Sequence, residues 1–418
     1  MKLHKVLFWV LVFFLPTQLG RHFWPQFSFV FGLRIDYLAP TIYFTDILVI
    51  GIILSWFWEK KNKFPVSSFQ FLVSRFWYVL ALFFYLLLIC LLAKNPGAAF
   101  YKLAKLGELF LLGFYVAKNA QLLNSLIAKV FSLAVVYQSI IAWAQFLKQG
   151  SLGGLFWFLG ERSFSAGTPG IALAQLGGKI WLRPYGTFSH PNSLAGFLLV
   201  ALILIWWLGK SLPFWLKVFI SILGVSAILL SFSRIAWLVG LCSLAYGFWF
   251  KLSVALKKRG VRRNFTFYFL LFTFFIGLGA IFFLAPRLSG QEAVMQRLEL
   301  TRLAISMFQM NPLSGVGLNN FIVHLPQFYQ SGSVYLLQPV HNIFLLVAAE
   351  TGLVGLVIFL WFLILTFKKL LITNYYLLIT ALIVILVLGL FDHYWLTLQQ
   401  NQLLVAIVFG LSWSRIKA

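Results

Sequence analysis

At 418 residues, 61% of them hydrophobic and with a mean hydropathy of +0.93, the chain is far too apolar for an ordinary water-soluble globule. Its formal net charge of +24 sits mostly in short loops between apolar runs, which points to membrane topology and away from nucleic acid. The apolar runs do not alternate in period two, so an outer-membrane barrel is excluded as well.

Apolar runs close to the ~20 residues that cross a bilayer recur along the whole chain. Bounded by charge, Gly or Pro, they predict about twelve transmembrane helices, at 6–19, 41–58, 74–93, 99–117, 124–147, 192–208, 214–231, 234–250, 265–285, 342–367, 375–391 and 399–413. The expected fold is all-α: one polytopic membrane domain, 1–418, without a soluble domain or an internal repeat. The first run, Val6 to Leu15 behind Lys2 and Lys5, has the outline of a signal peptide. It lacks a small-x-small cleavage site, and Pro16, Thr17 and Gln18 follow directly, so it reads as a retained helix. Cys90 and Cys242 both fall inside apolar runs and imply neither a disulfide frame nor a metal site.

Loop charge sets the orientation. Basic clusters stand at Lys60, Lys61 and Lys63, from Lys257 through Arg263, at Lys368-Lys369, and at Arg415 with Lys417. With twelve helices and an inside N-terminus, all four share one side, which the positive-inside rule makes cytoplasmic along with both termini. The two long connections, 148–191 and 286–340, then lie outside, and loops of that length usually carry function. Within the second, residues 291–310 place Val294, Leu298, Ile305 and Phe308 on one helical face, suited to the outer interface. Asn311-Pro312 ends that helix, and Gly315 and Gly317 permit a sharp turn.

Three predicted helices begin on the outer side with unusual residues. One opens with RPYGTFSHPN, carrying Arg183, His190, Pro191 and Asn192; one with SFSR, ending in Arg234; one with His341-Asn342. Helix N-termini attract anions, and an outer arginine runs against the charge bias unless it binds something such as phosphate. With Arg302 on the amphipathic stretch, these residues suggest an anion pocket at the membrane surface with a histidine beside it. The natural occupant is an anionic lipid head group.

Each residue also has a structural reading. Arg234 can snorkel from a helix end, Arg302 can sit on a solvated face, and His190 can be a simple cap. His341 can be a lone interfacial histidine, and Gly352 with Gly355 can permit close helix packing. Asp46, Glu108 and Glu350 fall inside predicted spans, where ionisable groups are functional by default. Glu350, nine residues beyond His341, falls about 180° around an ideal helix and so reads as a packing contact. Asp392-His393, at an outer helix end, fits the same cavity as His341. No Asp-x-Asp, His-x-x-x-His or Cys-x-x-Cys pattern is present, so no metal site is expected; Asp36 is the one residue a metal-using transferase would have. No Walker-type glycine loop is present, so ATP is not the expected energy source.

These motifs resemble the O-antigen ligase and O-antigen polymerase superfamily. The ligase signature (His, then Asn/Ser/Gln, nine residues, Gly, two residues, then Gly/Thr/Tyr) is met by His341-Asn342, IFLLVAAET, Gly352, Leu353-Val354 and Gly355. SFSRIAWLVG, RLAISMFQMNPLSGVGLNNF and RPYGTFSHPNSLAGF are similar to other segments of that family, so the resemblance covers roughly 183–410. It implies a C-type glycosyltransferase with about twelve helices and a periplasmic active site in the bacterial inner membrane. Such enzymes move a glycan from undecaprenyl diphosphate to an acceptor: another glycan, lipid A core or a protein. Neither metal nor cofactor is implied. On this resemblance His341 is the catalytic base, while Arg234, Arg302 and Arg183 hold the donor diphosphate. Asn342, His190, Asn192, Gly352, Gly355, Asp392 and His393 support them. The rival class is a lipid or glycan transporter, which would need polar, broken helices near the midplane.

Overall fold

A computed structural model describes residues 2–60, 80–258, 291–328 and 337–414. The span expected at 265–285 lies outside the described residues, as do the basic residues 61–63, 259–263 and 415–417. In chain order the elements are α1 Leu3–Phe14, β1 Gly20–His22, β2 Phe29–Val30, β3 Leu33–Arg34, β4 Thr41–Tyr43, α2 Phe44–Lys60, α3 Leu80–Leu92 and α4 Pro96–Lys148. They continue with β5 Leu173–Leu176, β6 Lys179–Leu182, α5 Pro191–Leu208, α6 Phe214–Leu230, α7 Arg234–Lys258, α8 Gln291–Met310, α9 Phe321–His324, α10 Ile343–Ile372, α11 Tyr376–Gly389, α12 Tyr394–Thr397 and α13 Gln399–Ser412. The strands form three antiparallel pairs, β1 with β4, β2 with β3 and β5 with β6. Three described helical stretches, Ile127–Lys148, Pro191–Leu208 and Ile343–Ile372, are long and apolar enough to cross a membrane, and five shorter apolar helices accompany them.

One boundary corrects the sequence reading. The turn expected between 117 and 124 is not there, because α4 runs unbroken from Pro96 to Lys148. Residues 118–123, KNAQLL, hold neither Gly nor Pro and are mostly good helix formers, so nothing stops the helix. α4 is therefore one helix where the sequence reading had two.

The chain divides into two compact units. One comprises Met1–Leu123, Gln291–Ile372 and Asp392–Ala418; the other comprises Asn124–Gly290 and Thr373–Phe391. In the second, α5 is the most deeply buried helix, packed by α6, α7 and α11. In the first, Leu300, Leu303, Ala304 and Met307 of α8 join Leu346 and Ala349 of α10 and Phe321, Ile322 and Leu325 in one core. Of the face expected to lie along the outer interface, Val294, Leu298 and Ile305 are 46%, 50% and 42% exposed, and Phe308 is half-buried. The helix therefore has two apolar stripes, of which the other one is buried.

The first unit also interlocks two segments. At Gly352, φ is 61° and ψ −167°, a backbone region essentially confined to glycine, and α10 breaks there. The turn after α8 fills the break. Val316 N–H donates to the Ala349 carbonyl at 2.8 Å, Gly317 N–H to Glu350 at 3.0 Å, and Leu353 N–H to Pro312 at 2.7 Å. Tyr85 Oη donates to the Thr351 carbonyl and lies 3.3 Å from that of Leu313. A Cβ on Gly352 would strike the Leu313 carbonyl oxygen; one on Gly315, itself at φ 67°, would sit 2.5 Å from the Glu350 carbonyl carbon. Gly352 thus admits a loop backbone into the helix, rather than serving helix-on-helix packing as the sequence suggested.

Candidate active site

His341 stands just before α10, and Asn342 is what starts that helix. The Asn342 side-chain oxygen accepts from the N–H groups of Phe344 at 2.9 Å and Leu345 at 3.0 Å, satisfying two donors that a helix start leaves unpaired. His341 lies outside the helix, so the angle of 180° that separated it from Glu350 does not apply. Glu350 is buried and 3.5 Å from the N–H of Phe321, a contact within the core around the break.

The ring of His341 meets that of His393, with centroids 5.2 Å apart at 63°. Asp392 adjoins them: one ligand atom from each of His341, Asp392 and His393 lies within 4.8 Å of the others. The turn that carries this pair is fixed locally. Asp392 Oδ1 accepts from the backbone N–H of His393 at 2.9 Å, and His393 Nδ1 is 2.7 Å from Thr397 Oγ1. Tyr37 packs edge-on against His393 at 5.4 Å. The Tyr37 carbonyl in turn accepts from the Asn319 amide at 3.0 Å.

His341 Nδ1 is buried and has no hydrogen-bond partner among the described residues. Burial holds the imidazole below its ordinary range; the Asp392 carboxylate pulls the other way, and the Arg297 guanidinium adds to the lowering. A neutral ring results, with a lone pair for accepting a proton. Arg302, the guanidinium expected from the sequence, is exposed and ion-paired to Glu299 at 3.6 Å. Arg297 went unnoticed because nothing in the sequence separates two arginines five residues apart on one helix.

Arg183, Asn192, His190 and Arg234 belong to the second unit. Arg183 donates from Nε to the Ser231 carbonyl and from Nη2 to Asn192 Oδ1, each at 2.7 Å. It ties the start of α5 to the turn ahead of Arg234, where Phe232 adopts a left-handed conformation, φ 51°. His190 caps α5 by accepting from the Asn192 N–H at 3.1 Å. The approach to α5 is held by Gln145, whose Oε1 accepts from Tyr185 N–H at 2.9 Å and Gly186 N–H at 2.8 Å. Three of the expected outer residues thus form one brace around the turn into α7.

Of the acids, Asp46 and Glu108 are engaged by Lys105, at 2.5 and 3.2 Å. Gln399 donates to Asp46 Oδ1 at 2.5 Å and the Tyr43 N–H to Oδ2 at 2.9 Å. Lys105, in the middle of an apolar run, was the unread signal here. Lys102, one turn away, donates to the Leu396 carbonyl on α12, just past His393. Asp36 is exposed on the loop between β3 and β4.

Residues 219–360 match a family model described as O-Antigen ligase. The matched stretch includes Arg234, Arg302, His341, Asn342, Gly352 and Gly355, and leaves out Arg183, His190, Asn192, Asp392 and His393. No curated protein matches the chain.

Proposed function

From the assignment of this chain to the O-antigen ligase family, which the match over 219–360 supports, we propose that His341 is the base of a membrane glycan transferase. The family implies a lipid-linked glycan donor and an acceptor. The finer reading takes undecaprenyl diphosphate as the donor's carrier and works on the outer face of the bacterial inner membrane, as the resemblance implies.

His341 removes the proton of the acceptor hydroxyl. The oxygen attacks the anomeric carbon as the bond to the diphosphate oxygen breaks, its electron pair leaving with the diphosphate. Attack opposite the leaving group inverts that centre. Asp392 and His393 stabilise the imidazolium as it forms, while Arg302 and Arg297 on α8 offset the charge on the departing diphosphate; the resemblance assigns a diphosphate-binding role to Arg234, in the other unit, as well. Arg183, whose guanidinium serves Ser231 and Asn192, holds the Arg234 turn in shape. The observation that carries this reading is a His341 ring beside the Asp392 carboxylate, with its Nδ1 buried and unpartnered among the described residues. The acceptor, whether glycan, lipid A core or protein, is not encoded in these residues.

The break at Gly352 is a feature that a transporter would share. Here the carbonyls it frees, those of Ala349, Glu350 and Thr351, are taken by Val316, Gly317 and Tyr85 of the same chain and are not offered to a cargo. Transfer is tested by reconstituting the protein in liposomes with a glycan on undecaprenyl diphosphate and each acceptor class in turn. Release of the lipid diphosphate should accompany glycan transfer and vanish in His341→Ala. Undiminished turnover in that variant removes the base; cytoplasmic labelling of the Gln338→Cys thiol removes the sidedness.

A further inference from the structure

We propose that His341, Asp392 and His393 form a binding site for a borderline divalent cation, Zn²⁺ above all, and that filling this site stops glycan transfer. The inhibitory half rests on the function proposed above; the binding half stands without it. Two imidazoles and a carboxylate are a ligand mix that Zn²⁺ favours, with a fourth position left for water, whereas Mg²⁺ and Ca²⁺ want oxygen throughout. All three ligand atoms already lie within 4.8 Å of one another, on a short turn and a helix start of one unit.

The surroundings prepare the ligands. Thr397 Oγ1 is 2.7 Å from His393 Nδ1 and within reach of the His393 carbonyl at 3.1 Å. With the hydroxyl proton on the carbonyl, Nδ1–H donates to Oγ1 and the lone pair falls on Nε2, the arrangement that supports metal-ligating histidines. The Asp392 carboxylate is steadied by the His393 N–H at 2.9 Å. His341 adds an independent sign: a buried Nδ1 with no partner among the described residues, a costly state that coordination through that nitrogen would relieve. A cation held there occupies the lone pair that proton abstraction requires.

The test titrates the full-length protein, stripped of metal in detergent micelles, with ZnCl₂ and with MgCl₂ by calorimetry, and with CoCl₂ by visible absorption. One Zn²⁺ per chain, no heat from Mg²⁺ and a cobalt d–d band are expected. His393→Gln, Asp392→Asn and His341→Gln should each weaken Zn²⁺ binding at least ~10-fold. Their metal-free unfolding midpoints should stay near the parent's, which separates lost ligands from lost folding. Zn²⁺ binding that is absent in the parent, or unchanged in all three variants, overturns the site. In the liposome assay Zn²⁺ should abolish transfer and EDTA restore it. Zn²⁺ bound through these residues with transfer unaffected overturns the inhibitory half and the base assignment together, and leaves the cation site standing. A parent inactive with every donor and acceptor overturns the functional reading, while calorimetry still decides the cation site.

Discussion

Asn342 and His341 divide one job between neighbours. The asparagine starts the helix, and the histidine is left outside the helical hydrogen-bond ladder with its ring turned to Asp392 and His393. Asn342→Ala should therefore cost about 1 kcal/mol of stability, and Asn342→Asp should restore it, as read by unfolding in detergent. A larger loss that Asp does not repair would show that Asn342 does more than cap. The arginines separate in the same way. Arg297 and Arg302 are five residues apart, about 140° around a helix, so they face different surroundings. Arg297 acts on His341 electrostatically, whereas Arg302 pairs with Glu299. Arg297→Ala should slow transfer more than Arg302→Ala does, and the opposite ranking in initial rates would make Arg302 the principal contact of the diphosphate.

The second glycine of the signature differs from the first at the level of the element. A Cβ on Gly355 would press on Thr351 Cβ and Oγ1 within the same helix, but Gly355 is not in a left-handed conformation; one on Gly352, at φ 61°, would meet the backbone of the inserted loop. Gly352→Ala should cost at least ~1–3 kcal/mol from its backbone conformation alone, more once the loop is displaced. Gly355→Ala should be milder; equal midpoints for the two variants in thermal unfolding would refute the interlock. This is also where legibility ended. Asn342 as a helix start and the turn at Gly315 and Gly317 could be read from residue type, because a short polar side chain or a glycine after Pro has few uses. Gly352 could not, because a glycine in an apolar run suits close packing and a break equally well. The unbroken α4 was missed for the converse reason: a polar stretch between two apolar runs looks like a loop, although its residues favour helix.

At the scale of the molecule, one cluster among the described residues shows how charge is carried inside the apolar body. Lys105, Asp46 and Glu108 answer one another, with Gln399 and the Tyr43 N–H completing Asp46. Breaking such a group from one side leaves an uncompensated charge, so Lys105→Met should lower stability by about 3–5 kcal/mol. Asp46→Asn combined with Lys105→Met should recover much of that loss. If the double variant falls as far as the sum of the singles, the pair is not coupled. The acids were visible as anomalies in the sequence, and Lys105 lies three residues from Glu108 on the same helix, but its pairing with Asp46 on α2 was not visible, because spacing along the chain says nothing of which helices become neighbours. Likewise no linear spacing links residue 341 to 392 and 393.

The seam between the post-α8 turn and Gly352 bears on how the protein is made. Residues 312–317 leave the ribosome before residue 352, so the strand that receives the exposed carbonyls is synthesised ahead of the helix that exposes them. Each such carbonyl, naked in hydrocarbon, would cost several kcal/mol. A chain with that turn deleted or replaced by a flexible linker should therefore have no low-energy way to keep its helix bent, and would emerge from the insertion machinery with a straight rod in its place.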